Sequence, residues 1–321
     1  GPAPAVARIY ERNDQAYRDL YYRLHAEVGG HLDRVRRAVT EGGSADALLV
    51  RSSDHGDLLG SHGGLHQKWF NLYDEATRVP FLIAGVGACA TEAAVVRRTP
   101  TSHVDLVPTL LAAVGIDEEA TAADLRRHFT EVHPLPGRSL LPLVADGEGD
   151  GERRAVYLQT RDNMLEGDSG ASALARRLKR DAKPPLPLRI QVPAHVGSNF
   201  EGVVAHVPEA DAPGGAGHLW KLVRTFDDPD TWTEPGVRHL AADGPGGPTF
   251  RTTPLVDEWE LYDLDGDPIE AVNRAADPAA APVLAHLQER LVLERTAAIP
   301  QRNEPWPYAA RSPRRLAEAG R

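Results

Sequence analysis

From Asn13 to Thr40 the apolar residues fall at Tyr17, Tyr21, Leu24, Val28, Leu32, Val35 and Val39, in steps of three and four. That spacing puts them on one stripe of a long amphipathic helix, because about 3.6 residues complete a turn. Asn13 or Asp14 is placed to cap its start, and Gly42 to end it. Directly afterwards, Ala47 to Val50 is a short apolar run that reads as a buried parallel strand. A polar stretch, Ser52 to Gly64, leaves that strand, and a second apolar run, Val79 to Ala84, ends at Gly85. Val104 to Val114 reads as another helix, with Pro108 tolerable near its first turn and Gly115 as its stop. Helices alternating with buried strands predict an α/β layer architecture, a mostly parallel sheet flanked by helices. In such sheets ligands sit beyond the carboxyl ends of the strands, which places the loop at Asp54 in a binding position.

The pattern changes near residue 150. Gly147 to Gly151 is a Gly/Asp-rich linker. Later strands stand further apart, at Ala155 to Gln159, Leu219 to Thr225 and Trp259 to Leu264. Pro/Gly-rich loops run between them, at Lys183 to Pro193, Pro208 to Gly217 and Asp243 to Pro248. A final helix is expected near Ala280 to Thr296. Two units follow: residues 1–150, the α/β part, and residues 151–321, a smaller α+β subdomain with antiparallel strands, a terminal helix and a tail.

The formal net charge of −10 argues against a general nucleic-acid binder, which needs a basic face to displace counterions. It leaves room for an anionic substrate held by a local cation. No apolar run approaches the roughly 20 residues that span a bilayer, so no membrane partner is expected. Cys89 is the only cysteine, so no disulfide forms within the chain. With no secretion signal at its start, the chain is expected to be cytoplasmic.

The chemistry concentrates in Ser53-Asp54-His55-Gly56-Asp57 and in Lys68. Carboxylate oxygen and imidazole nitrogen are both good ligands for divalent cations. Gly56 lets the backbone pass close to a bound ion. Asp57 is a further ligand or an acceptor that orients an imidazole. The Lys68 ammonium can bind a tetrahedral anion or protonate a leaving oxygen. Spacing alone leaves a second reading open, in which Asp54 and His55 form a turn with a local hydrogen bond.

The segment Ser53-Asp54-His55-Gly56-Asp57-Leu58-Leu59-Gly60, with Lys68, Tyr73-Asp74-Glu75 and Arg78-Val79-Pro80, resembles the second block of the sulfatase family. That family is a branch of the alkaline phosphatase superfamily that also holds phosphonate monoester hydrolases. Further landmarks follow in order: Thr101 to Leu111, Leu135-Pro136-Gly137-Arg138-Ser139-Leu140, Trp220-Lys221-Leu222-Val223, and Glu260 to Leu264 with Asp267-Pro268, Glu270 and Asn273. Tyr21-Tyr22 to Leu32-Asp33-Arg34-Val35 resembles the helix before the Asp-His strand.

The resemblance implies the C-terminal part of an alkaline-phosphatase-like sandwich that hydrolyses sulfuric esters. It implies Asp54 and His55 as metal ligands, for calcium first, with manganese or magnesium as alternatives. It implies Lys68 as the lysine on the sulfate group and the leaving oxygen; His66 and His62 flank the loop as candidates for substrate contact, with a solvated or locally hydrogen-bonded histidine as the alternative for each. The family's nucleophile is a formylglycine made from Cys or Ser in a Cys/Ser-x-Pro-x-Arg segment, which attacks sulfur and forms an enzyme–sulfate ester. This chain has no such segment, and Cys89 is followed by Ala90-Thr91-Glu92. The expected partners are therefore a small sulfate ester, a missing N-terminal half of the catalytic domain and, when complete, a second copy of the protein. The chain alone should turn nothing over. Alternatives on the same residues are a phosphonate monoester or phosphodiester hydrolase, and a non-catalytic metal-binding fragment or module.

Other polar residues carry plainer expectations. Asp74, Glu75 and Arg78 read as a structural ion-pair set, and His103 and Asp105 as caps of the helix they open. Arg161, Asp162 and Asn163 are candidates for the substrate entrance. Ala171 to Arg180 reads as a short charged helix, Arg311 to Arg321 as a solvated tail, and Trp220, Trp232, Trp259 and Trp306 as packing residues.

Overall fold

The computed structural model describes residues 5–42, 46–68, 71–86, 94–145, 154–160, 199–208, 217–229, 232, 234, 236–244 and 247–299. Cys89, Arg161 to Asn163, Ala171 to Arg180, the loop Lys183 to Pro193, Trp306 and the Arg-rich tail lie outside them. Helix α1 runs Ala5–Glu41, eight residues earlier in its start than the apolar stripe required. Strand β1, Ala47–Arg51, follows it, and β2 is Leu82–Val86. Between them lie two single helical turns, α2 at Ser61–Gly64 and α3 at Asp74–Thr77. Next come α4 at Leu106–Ala113, α5 at Glu118–Leu125 and α6 at Leu141–Ala145.

The mixed α/β class stands, but the strand direction differs from the expectation. β1 and β2 pair antiparallel, with Val50 opposite Ile83 and Arg51 opposite Leu82. An apolar run encodes burial and carries no information on direction. Direction is set by where the connecting chain returns, and here Gly56 N–H donates to Ala76 O at 2.9 Å and closes the connection just beyond the strand ends. All strand pairings among the described residues are antiparallel.

The main core lies in the second half. Strands β3 (Ala155–Thr160), β4 (Asn199–His206), β5 (Leu219–Phe226) and β8 (Glu258–Asp263) form one sheet in the order β3-β4-β5-β8. Helix α7, Ala281–Ala298, lies on one face. Its Val283, Leu287 and Leu291 bury against Val203, Trp220, Leu222 and Leu261. At roughly 1.5–3 kcal/mol for each large apolar side chain removed from water, this layer is a main source of stability. The opposite face, with Phe200 and Val223, receives Leu72 from the chain just beyond the Lys68 loop. Gly202 in β4 permits that approach, since a Cβ there would stand 3.2 Å from Leu72 Cδ1 and 2.9 Å from Leu222 O.

Strand β4 has no counterpart in the expected elements, because Glu201 and Gly202 interrupt its apolar pattern. The structure satisfies the buried Glu201 with Arg224 Nη1 at 2.7 Å, Arg295 Nε at 2.8 Å and the Tyr157 hydroxyl at 3.1 Å. The stretch Asp243 to Pro248, read as a loop, is the closed end of a hairpin. In it β6 (His239–Gly244) and β7 (Gly247–Arg251) pair Asp243 with Pro248 and Gly244 with Gly247. No helix among the described residues is long and apolar enough to cross a membrane.

Candidate functional site

Asp54 and His55 lie three and four residues beyond Arg51, the last paired residue of β1. The local-turn reading of the pair is seen directly. Asp54 Oδ1 accepts the His55 N–H at 2.9 Å, which makes the local turn. Asp54 Oδ2 stands 3.3 Å from His55 Nε2. His55 Nδ1 lies 2.8 Å from Gly56 O. A carbonyl only accepts, so Nδ1 is the donor in that contact, and Nε2 is the ring atom that faces Asp54 Oδ2.

Those two donor atoms suit a divalent cation. Ligand oxygens sit about 2.0–2.6 Å from Mg2+ or Ca2+, so neighbouring ligands on one ion are roughly 3 Å apart. A backbone carbonyl on the other ring nitrogen is the support that metal-bound imidazoles usually have. The hydrogen bond from His55 N–H, chief among its contacts, holds the Asp54 carboxyl below the usual carboxylate range and keeps it charged. The Asp54 side chain is 82% exposed, and among the described residues no group of three or more His, Cys, Asp or Glu side chains is arranged to hold an ion.

The backbone behind the pair is tight. A Cβ on Gly56 would stand 1.9 Å from Glu75 O, so only glycine lets the loop lie against the chain at Glu75 and Ala76. Asp57 turns its carboxylate to the loop backbone and to α1. Its Oδ1 accepts Leu59 N–H at 2.8 Å and Gln67 N–H at 3.1 Å, and its Oδ2 accepts the Tyr17 hydroxyl at 2.6 Å. That last bond, with burial next, pushes the Tyr17 phenol up to about 12.

The three remaining sequence candidates part company. His62 stacks on Tyr73 with centroids 3.6 Å apart, and its Nε2 lies 3.3 Å from Glu75 Oε2. His66 meets the Tyr17 ring edge-on at 5.2 Å. Lys68 is exposed at the end of the loop. Three non-glycine residues of this loop, Leu59, His62 and Gln67, have φ of 48°, 49° and 63°. Such residues cost about 1–3 kcal/mol each and persist where their surroundings fix them.

The surrounding polar residues pair with one another and with the backbone. Asp74 pairs with Arg78 at 3.5 Å and with buried Lys221, whose Nζ also lies 2.9 Å from Glu270 Oε1 and donates to Leu72 O at 3.0 Å. Asp105 closes a capping box with Ser102, accepts Arg138 N–H at 2.9 Å and pairs with Arg154. His103 Nε2 lies 2.8 Å from Ser52 Oγ. Sequence spacing missed Tyr17 and the Lys221–Glu270 contact, because partners 40 or more residues apart leave no periodic signal.

The family model described as Sulfatase matches residues 3–116. The chain is 34% identical over 143 residues to the choline-sulfatase of Rhizobium meliloti, covering 42% of this chain and 24% of that protein. It is 29% identical over 223 residues to the multifunctional alkaline phosphatase superfamily protein PehA of Trinickia caryophylli, covering 64% of this chain and 40% of that protein. The crystal structure of the phosphonate monoester hydrolase of Agrobacterium radiobacter aligns at 23% identity and a TM-score of 0.49, over 89% of this chain and 42% of that one. The matched chain thus spans between 24% and 40% of the length of these two curated relatives. Residues 3–116 are thus similar to the sulfatase family, and the chain shares that similarity with these relatives.

Proposed function

We propose that this chain forms one wall of a sulfuric ester hydrolase site, in which Asp54 and His55 hold a divalent cation and Lys68 binds the sulfate group. The observation that carries this is the pair of donor atoms 3.3 Å apart, with the second ring nitrogen of His55 tied to Gly56 O. The cation, calcium first and manganese or magnesium next, would supply Lewis acidity at a sulfate oxygen. Lys68 places a cation beside the departing oxygen, and His66 and His62 flank it on the same loop. The nucleophile, a formylglycine in the family, comes in this proposal from outside the chain, supplied by a longer polypeptide or a second one. The openness of Asp54 supports that, as does the row Leu24, Val28, Leu32 and Val35 on α1, which is exposed along its length.

A second reading has its own support. PehA is named as multifunctional within the alkaline phosphatase superfamily. The same cation and lysine would serve a phosphonate monoester or phosphodiester, whose oxygens differ from those of sulfate mainly in charge.

Titration of the chain with Mn2+, followed by electron paramagnetic resonance, tests the metal pair. Binding should be lost in Asp54→Asn and in His55→Ala and kept in Lys68→Ala; equal binding by all four proteins would sink the assignment. The chain completed by its formylglycine-bearing part should hydrolyse an aryl sulfate. Turnover of a phosphonate monoester alone would replace the sulfatase reading with the second one.

A further inference from the structure

The loop between the proposed metal pair and Lys68 is a closed ring rather than an open connection. Leu58 N–H donates to Gln67 O at 3.0 Å, and Gly60 N–H donates to Leu65 O at 2.7 Å. Asp57 bridges the two stems of this ring, because one carboxylate oxygen takes both Leu59 N–H and Gln67 N–H. Gln67 is held in a left-handed conformation, and its neighbour in sequence is Lys68. The other carboxylate oxygen of Asp57 takes the Tyr17 hydroxyl from α1, forty residues earlier. Tyr17 also contacts the His66 ring, so one helical side chain touches both ends of the loop.

We infer that Asp57 and Tyr17 are positioning residues that set where the Lys68 ammonium stands relative to the Asp54–His55 pair. The inference rests on the metal-and-lysine reading above. Two backbone N–H groups held by one side-chain oxygen oppose relaxation of the left-handed residues of the loop. A substrate-binding side chain acts only while its supporting shell holds it within a fraction of an ångström. With the staple removed, Gln67 can leave φ 63° and carry Lys68 with it.

The role is one of geometry, so the amide should serve nearly as well as the acid. In Asp57→Asn the carbonyl oxygen can keep both backbone bonds and the NH2 can face the Tyr17 oxygen. Asp57→Ala removes all three bonds, and Tyr17→Phe removes one. The chain has four lysines, Lys68, Lys179, Lys183 and Lys221, and Lys221 is fully buried. Reductive methylation with a 13C label therefore gives few signals, and Lys68→Gln assigns the one that matters. Bound Mn2+ broadens a methyl signal more steeply the nearer it lies.

In the wild-type chain and in Asp57→Asn, Mn2+ should broaden the Lys68 signal strongly. In Asp57→Ala the broadening should fall several-fold at equal Mn2+ occupancy, and in Tyr17→Phe to an intermediate level. Unchanged broadening in Asp57→Ala and in Tyr17→Phe overturns the positioning role and leaves the metal reading intact. Loss in Asp57→Asn as deep as in Asp57→Ala also overturns it, since charge rather than geometry would then be at work. Absence of any Mn2+ effect in the wild-type chain removes the metal reading and this inference with it. Should Asp57→Ala fail to fold, Tyr17→Phe beside Asp57→Asn still decides.

Discussion

Lys221→Met is the most informative perturbation of the fold beneath the site. The Lys221 side chain has no exposure, and neither has that of Glu270; Asp74 is 14% exposed. The methionine matches the lysine stem in length but leaves two carboxylates facing each other and Leu72 O without its donor. Removing one partner of a buried ion pair costs about 3–5 kcal/mol, because the remaining charge is uncompensated. Glu270 adds to this, since it is held at φ 52° and accepts Asp74 N–H at 2.6 Å. A loss of about 3–5 kcal/mol is therefore expected at pH 7, read as urea unfolding by circular dichroism and Trp220 fluorescence.

The pH dependence supplies a second, independent check. Burial, partly offset by Lys221, pushes the Glu270 carboxyl up from its ordinary value. Without the lysine it rises further, so the folded variant takes up a proton before the unfolded chain does. Stability of the variant relative to wild type should then improve as pH falls through the carboxylate range and worsen as pH rises. The double variant Lys221→Met, Glu270→Gln should recover much of the loss. A cost below about 1 kcal/mol at pH 7, or a cost that is the same at pH 5, would refute the reasoning that unpaired buried charge dominates here.

Two further outcomes follow from other residues. Gly56→Ala should lower stability by about 1–3 kcal/mol or more and abolish Mn2+ binding, since its Cβ would fall 1.9 Å from Glu75 O and force the loop off Ala76; unchanged binding in a metal titration would contradict that account. Asp227 is pushed up by burial but brought net below its ordinary value by Arg251, Trp232 Nε1 and Leu255 N–H. Its stabilisation is therefore present above the unfolded carboxyl value and lost as pH falls through the lower folded one, so Trp232 fluorescence should change in strong acid in wild type, and Asp227→Asn, which has no carboxyl to titrate there, should be less stable at pH 7 and lack that component of the acid transition.

Much of the first half is legible along the chain because its signals are local. The helix that opens it, the run at Ala47 and the capped start at Asp105 each rest on neighbours within a few residues. Asp54 and His55 are adjacent in sequence, so their pairing follows from the chain itself. Lys68 is a candidate anion binder from its chemistry alone, and its narrower expectation as a sulfate-binding lysine rests on the ordered landmarks that resemble the sulfatase family.

The tertiary structure decided what depends on distant partners. It made β1 and β2 antiparallel, because the Gly56–Ala76 contact fixes where the chain returns. It produced β4 from a segment whose glutamate hides the strand pattern, because Arg224 and Arg295 neutralise that charge from elsewhere. It tied Asp57 to two backbone N–H groups of its loop, and it gave Asp57 a partner in Tyr17 that no periodicity encodes. Sequence determines which residue types stand near one another along the chain; a buried charge or a shared hydrogen bond is settled only when folding brings its far partner within about 3 Å.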